Sequence, residues 1–387
     1  MTNRRFRTAV IGAGMIANAG HIPGWKNLAA DVELVGVADP RQEAAEETAH
    51  RHGIPQSYAD PQRMLDELKP DIVSVCTPNV YHKQWSIAAL QAGAHVLCEK
   101  PIATSRQDAV EMYATAESAG RMLSVSQTLR FLGTFAAAKE LAQSGRLGEP
   151  YYAEARCIRR RGIPTWGMFH MREHNAGGPL FDLGVHMIDL MFWIMGNPRA
   201  VAASGTTWTK FGNRDEGLHT SLAESGAPLG LFTPRPYDRR EFDVEDFAAG
   251  HIRLANQALV NITACWAANL PESFEILIAG TEGGLLLPSL KLITNLGRYQ
   301  AEVVPKVLPD PDVEFFGHWG ATQNFVRAVR GQEKLVVQPD EVLNVIHAIE
   351  GLYHSAAAGR EVRLEEKKVS GTVCAKHPEG RFPANGS

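Results

Sequence analysis

A short apolar run, Arg7–Ile11, breaks directly into Gly12-Ala13-Gly14-Met15-Ile16-Ala17. Glycine at the first of these positions permits a tight turn out of a strand. Glycine at the third lets backbone approach a bound pyrophosphate, and alanine at the sixth allows close helix–strand packing. The helix that follows offers free N–H groups and a positive dipole end to phosphates. The same spacing also suits a plain strand–turn–helix, so context has to decide. Further apolar runs at Val32–Ala38, Asp71–Cys76, His95–Cys98 and Met122–Ser126 read as buried parallel strands. Between them lie helical segments such as Gln42–His52, Gln84–Ala92 and Ser105–Ala119. Strands alternating with helices predict right-handed βαβ units and a doubly wound α/β sheet.

In such a sheet, ligands bind at the carboxyl ends of the strands. The second strand ends on Asp39, a partner for the adenosine ribose hydroxyls that favours NAD over NADP. Arg41, two residues on, suits a 2′-phosphate, so NADP stays open, and Asp39 is alternatively a helix N-cap before Pro40. The fourth strand ends on Thr77-Pro78-Asn79, with His82 in the turn that follows; Asn79 also reads as a helix cap and His82 as a solvent-facing residue. The fifth ends on Glu99-Lys100-Pro101. A lysine there, next to where a nicotinamide ring lies, can hydrogen-bond a substrate oxygen and favour developing alkoxide charge. The competing reading is a salt bridge at a strand end.

After Gly148-Glu149-Pro150 the texture changes to alternating stretches at Tyr151–Arg159, Val201–Thr209, Phe247–Leu254, Ala258–Trp266 and Phe274–Ile278. They predict a mostly antiparallel sheet with one face covered. One helix, Leu180 to about Met195, interrupts them, and Gly280–Gly284 reads as a hairpin turn. Residues 212–243, rich in Gly, Pro and charge, read as a long surface loop or lid. Helices at about Trp319–Arg330 and Asp340–Ala358 close the fold. The expected division is a dinucleotide-binding domain over 1–130, a substrate and oligomerisation domain over 131–366, and a flexible tail over 367–387.

Within the interrupting helix, Asp182 and His186 stand four apart and share a face. Histidine suits movement of an alcohol proton because its ordinary pKa lies near neutrality. A structural Asp–His pair is the alternative. A metal site built from His170, His174, Asp182 and His186 is weighed and set aside, since no H-E-x-x-H occurs and Met and Phe residues surround them.

Composition narrows the classes further. A net charge of −4 over 387 residues, with no basic stripe, gives no nucleic-acid footprint. Five scattered cysteines without a Cys-x-x-Cys argue against a disulfide framework or zinc ribbon and favour a reducing cytoplasm. The basic start, Met1–Gly14, carries too short an apolar run for a leader, and no segment approaches the roughly 20 apolar residues of a membrane span.

The glycine turn, Glu99-Lys100-Pro101 and the segment Gly177–Asp189, GGPLFDLGVHMID, together resemble the Gfo/Idh/MocA family of nicotinamide-dependent oxidoreductases from Arg7 to about Leu364. The resemblance implies a Rossmann domain followed by an α/β domain with a large open sheet often used for homodimers or homotetramers. It implies a sugar or polyol as substrate, His186 as acid/base, Lys100 as partner of the substrate oxygen, and Asp182 as a supporting, substrate-binding carboxylate. It further implies cofactor contacts at Gly12, Gly14, Met15, Ile16, Asp39, Thr77, Asn79, His82, Glu99, Lys100 and Gln127, with Arg130 and Trp166 facing the substrate cleft. His170 and Arg159–Arg161 also come near that cleft by sequence; the arginine run suits a phosphate or uronate, but a solvated strand edge is the favoured reading for it. The alternatives are an NAD-retaining glycosidase that oxidises its sugar transiently, and a catalytically silent NAD-binding sensor.

Overall fold

The computed structural model describes residues 4–214, 230–307 and 317–365. The expected tail over 367–387, and residues 215–229 of the expected loop over 212–243, lie outside the described residues.

Six parallel strands form the first sheet: β1 (Phe6–Ile11), β2 (Val32–Ala38), β3 (Ser57–Tyr58), β4 (Ile72–Val75), β5 (His95–Cys98) and β6 (Leu123–Val125). Their order is β3-β2-β1-β4-β5-β6. The chain reverses its winding between β1 and β4, and at such a switch point the strand ends leave a crevice for a ligand. The strands are apolar on both faces because helices cover both; every residue of β4 is buried. Helix boundaries follow local chemistry. Ser105 accepts the Asp108 N–H as the cap of the helix Arg106–Ala119, which Gly120 ends in a left-handed conformation.

The second sheet has nine strands: β7 (Pro150–Ile158), β8 (Ala200–Trp208), β9 (Phe247–Leu254), β10 (Leu259–Cys265), β11 (Ser273–Gly280), β12 (Gly283–Leu287), β13 (Lys291–Leu296), β14 (Tyr299–Val303) and β15 (Val362–Arg363). It is antiparallel except where β10 runs parallel to β7. The β11–β12 hairpin turns at the expected glycines. β12 to β14 extend the sheet beyond the strands expected from sequence.

One face of this sheet is covered by the helix Val185–Ile194, in which every residue except His186 is buried. The expected helix from Leu180 is not uniform: Leu180–Gly184 is a π-turn that feeds the α-helix. A second π-turn, Ala17–His21, follows the glycine turn. Such insertions re-aim the side chains around them and recur at functional sites. Elsewhere the sheet leaves Leu277, Ile293, Leu296 and Tyr299 exposed.

Candidate active site

The carboxyl ends of β1, β2, β4 and β5 open into a cavity of about 610 Å³, whose other wall comes from residues 166–182 and 232–235. At its floor Gly12 has φ +99°, and a Cβ there would sit 2.6 Å from the Cys76 carbonyl oxygen, so only glycine fits between β1 and β4. At Gly14 a Cβ would meet nothing within 4 Å, so the turn is bare backbone facing the cavity. That cradle suits a pyrophosphate against the start of the following helical turns.

Asp39 closes the turn from the side. Its Oδ2 accepts the Ala13 N–H at 2.9 Å and its Oδ1 accepts the Arg41 N–H at 3.0 Å. The cap residue of the next helix is Arg41, so Asp39 tethers the end of β2 to the glycine turn. Thr77 also lines the cavity, and its buried Oγ1 has no partner in the protein. The bare turn, the carboxylate beside it and this orphaned hydroxyl fit an adenine dinucleotide.

Asn79 reaches across to the opposite wall, its Nδ2 donating to the Asn175 carbonyl at 3.1 Å. His82 is buried with its Nδ1 2.6 Å from the Pro101 carbonyl and its Nε2 2.8 Å from that of Thr77, so it braces the ends of β4 and β5 as well as lining the cavity. The Lys100–Pro101 peptide is cis.

At the inner end, Lys100 Nζ lies 3.2 Å from Asp182 Oδ1 and 3.1 Å from the Asp182 carbonyl. The other carboxylate oxygen, Oδ2, accepts the Trp266 indole N–H at 2.9 Å. Burial works against ionisation of Asp182, but Lys100, Arg159 and the indole outweigh it and hold the carboxyl below its usual range. One turn on, His186 is pushed down to about 3, first by burial and then by the Lys100 charge. Its ring is therefore neutral at physiological pH, and its buried Nδ1 has no hydrogen-bond partner.

Of the residues singled out in the sequence, Gly12, Gly14, Met15, Ile16, Asp39, Thr77, Asn79, His82, Glu99, Lys100, Trp166 and Asp182 line this one cavity. Three do not. His186 sits behind Asp182, one helical turn removed from the lining. Gln127 is buried, with its Oε1 unpartnered.

Arg130 is a correction: it does not face a substrate cleft. Its side chain is 0% exposed, its Nε and Nη2 donate to Asp189 at 2.8 and 2.7 Å, and its Nη1 donates to Glu341. A buried guanidinium needs acceptors, and these two carboxylates provide them away from the cavity. His170 is likewise withdrawn, buried with its ring 4.7 Å from that of Tyr237. His174 Nδ1 lies 3.1 Å from the Tyr81 hydroxyl.

Among the described residues, the side chains whose ligand atoms do converge are His21, Glu99 and His318. The two histidines had no motif to mark them. Phe232, Thr233 and Arg235 were also missed as cavity residues. They come from a strap that crosses to the helix Gln42–His52, where Thr233 donates to Glu47 at 2.9 Å and Arg51 donates to the Gly230 carbonyl at 2.7 Å.

Residues 6–127 match the profile described as oxidoreductase family, NAD-binding Rossmann fold, and residues 135–286 match the GFO/IDH/MocA C-terminal domain. The chain is 31% identical to D-glucoside 3-dehydrogenase of Escherichia coli (strain K12) over 94% of its own length and 99% of that protein's. It is 28% identical to glucose-6-phosphate 3-dehydrogenase of Bacillus subtilis (strain 168), over 80% of this chain and 84% of the relative. A solved levoglucosan dehydrogenase in complex with NADH superimposes with a TM-score of 0.78 at 20% identity, covering 94% of this chain and all of the other. The glycine cradle, the Asp39 tether and these matches agree: the chain is an NAD-dependent enzyme belonging to the Gfo/Idh/MocA family of oxidoreductases.

Proposed function

We propose that the protein oxidises a secondary hydroxyl of a sugar or polyol, or reduces the corresponding ketone, at the Lys100–Asp182 end of the cavity. The observation that carries this reading is the Lys100–Asp182 pair, 3.2 Å apart, in the same cavity as the glycine turn. The sugar substrates named for the two curated relatives support the substrate class.

NAD, when bound, supplies the ring that accepts or returns the hydride. Gly12, Gly14, Asp39 and Thr77 are the residues that would hold it. The chain does the rest. Lys100 carries a fixed positive charge beside the reacting oxygen and stabilises the alkoxide as it develops. Asp182, kept ionised, orients that ammonium and accepts a substrate hydroxyl. His186 is in the neutral form that a proton acceptor needs. Burial and the Lys100 charge oppose its protonation while Asp182 and Glu99 favour it, so the alcohol proton passes to it only as the developing alkoxide takes up the paired lysine charge. With Nδ1 buried, Nε2 is the nitrogen for that role. The Trp166, Phe169 and Phe232 rings pack edge to face at 4.6 and 6.1 Å and give the cavity an apolar wall for the C–H faces of a sugar.

The four described cysteines are all free and buried, which supports a reducing compartment such as the cytoplasm. No helix among the described residues is long and apolar enough to cross a membrane. The exposed Leu277, Ile293, Leu296 and Tyr299 on the second sheet support assembly as a homodimer or homotetramer.

The test is absorbance at 340 nm with purified protein, NAD or NADP, and a panel of inositols, aldoses, glycosides and sugar phosphates, with products analysed from the same reactions. Stoichiometric NADH with a keto product supports the reading. Released aglycone without net NADH would replace it with an NAD-retaining glycosidase, and binding without turnover on any substrate would leave a sensor.

A further inference from the structure

Lys100 and Asp182 compensate each other in charge, whereas the neighbouring Glu99 faces two histidines, which offset its charge only when protonated. Its Oε1 faces His21 Nε2 at 2.8 Å and His318 Nε2 at 3.3 Å, and its Oε2 accepts the Lys100 backbone N–H at 3.1 Å. The side chain is 7% exposed, and the residue lines the cavity beside Lys100.

Burial favours a neutral His21, and its neighbours accommodate that form. Trp25 Nε1 can only donate, and it donates to Ser74 Oγ at 2.8 Å. The Ser74 hydroxyl is then free to donate its own hydrogen to His21 Nδ1 at 2.9 Å. An ionised carboxylate accepts only, so His21 Nε2 must carry the hydrogen it gives to Glu99. Trp25, Ser74, His21 and Glu99 thus form one chain of donors pointing the same way, with a neutral imidazole in the middle and a carboxylate at the end.

Burial lowers His21, which agrees with the neutral ring. Burial works against ionisation of Glu99, but its hydrogen bonds to His21 and His318 and the charge interactions with both rings outweigh it and hold the carboxyl well below the usual range. His318 arrives from the start of the distant helix His318–Val329, 219 residues along the chain. Its ring fits because residue 20 is glycine: a Cβ there would lie 2.7 Å from the ring. Three segments therefore converge to keep one acid charged at the end of β5.

We infer that Glu99, held as an anion by His21 and His318, biases this site toward the oxidised, positively charged nicotinamide. The inference rests on the proposed reading that the nicotinamide lies at the Lys100 end of the cavity. A nicotinamide ring carries one positive charge when oxidised and none when reduced, so a fixed anion nearby attracts one form and is indifferent to the other. Weak screening around a largely buried carboxylate makes that difference larger than it is in water. His21 and His318 act through Glu99 and are positioning residues.

The experiment is a pair of equilibrium titrations, NAD+ and NADH separately, by calorimetry at pH 8.5, above the ordinary histidine range. Glu99→Gln keeps the shape and removes the charge. It is expected to weaken NAD+ relative to NADH by about tenfold or more. His318→Phe, which removes one donor, is expected to shift the ratio the same way by a smaller factor, and His318→Gln, which keeps an N–H, to restore most of it. Far-UV circular dichroism checks folding; should Glu99→Gln not fold, the His318 pair decides alone. Equal weakening of both nucleotides would overturn the inference and leave the proposed function standing. A wild-type protein that binds neither nucleotide would sink the function itself. The three side chains also have the composition of a metal site, with ligand atoms within 4.8 Å of one another. A wild-type ratio that collapses on treatment with EDTA would assign the cluster to a metal and overturn the inference.

Discussion

Lys100 Nζ and Asp182 Oδ1 are 3.2 Å apart although 82 residues separate them. One comes from the end of β5 in the parallel sheet, the other from the π-turn that packs on the antiparallel sheet. The contact therefore exists only when the two sheets are assembled, and it puts a paired ammonium at the inner end of the cavity.

Replacing Lys100 with Met removes that charge and keeps most of the stem. Turnover is expected to drop by about two orders of magnitude or more, the scale of a lost charge-stabilising donor, with the NAD dissociation constant changed little. His186→Ala is expected to lower kcat by a similar factor, since a positioned acid/base contributes roughly 10² to 10⁴ in rate. Steady-state kinetics beside nucleotide titrations separate the two quantities. A Lys100→Met protein that loses only NAD affinity would give the lysine a structural role. A His186→Ala protein with unchanged turnover would place the acid/base elsewhere, which its position behind Asp182 makes a sharp question.

Asp39→Ala tests cofactor choice. The carboxylate repels a 2′-phosphate and tethers the Ala13 N–H, while Arg41 stands beside it with Nε 3.5 Å from Oδ1. Removing it frees the Arg41 guanidinium for phosphate. The ratio of kcat/KM for NADP over NAD is expected to rise by at least about tenfold, with some loss for both cofactors as the turn loosens. An unchanged ratio sinks the ribose assignment.

Arg130 shows where reading by sequence stops. By position it stands three residues past Gln127 and a short way beyond β6, which suits a cleft. Its actual partners are Asp189, on a helix whose phase depends on the preceding π-turn, and Glu341, 211 residues away. Arg130→Met is expected to cost about 3–5 kcal/mol in denaturant unfolding, because Asp189 is left as a buried, unpaired acid. The KM of the molecules that remain folded should stay within about twofold. A raised KM with unchanged stability would return Arg130 to the substrate cleft.

The residues legible in the sequence were those whose chemistry is local. Gly12 and Gly14 are dictated by one turn, Lys100 by one strand end, and Asp182 by one helical segment. His21 and His318 were not legible, because each is an isolated histidine until the fold brings both to Glu99. The strap at Phe232–Arg235 lies in a stretch without period, and only its landing on Glu47 and Arg51 gives it meaning. β13 and β14 were passed over for a different reason. In KLITNL and YQAEV only Leu292 is buried, so neither apolar alternation nor a continuous apolar run marks them.

Three partly buried histidines also shape the protein's pH response. His186 is lowered to about 3, and His52 and His95 to about 4, in each case first by burial; added positive charge comes from Lys100 for His186, from Lys26 and Arg51 for His52, and from Arg121 for His95. In the unfolded chain all three return to about 6.5. Above that value neither state binds the protons, so the histidines leave stability unchanged. Below it the unfolded chain takes up protons that the folded protein refuses, and stability falls as pH drops from about 6.5 toward about 4. Acids such as Asp182, held below their usual range, begin to add to the loss only nearer pH 4, so the first decline belongs to the histidines. The unfolding midpoint, followed by circular dichroism, is therefore expected to be level from pH 8 to 7 and to decline steadily from about pH 6.5 to 5. His95→Asn and His52→Asn should each make that decline shallower. A midpoint that holds constant down to pH 5 would mean that these rings are not neutral in the folded protein.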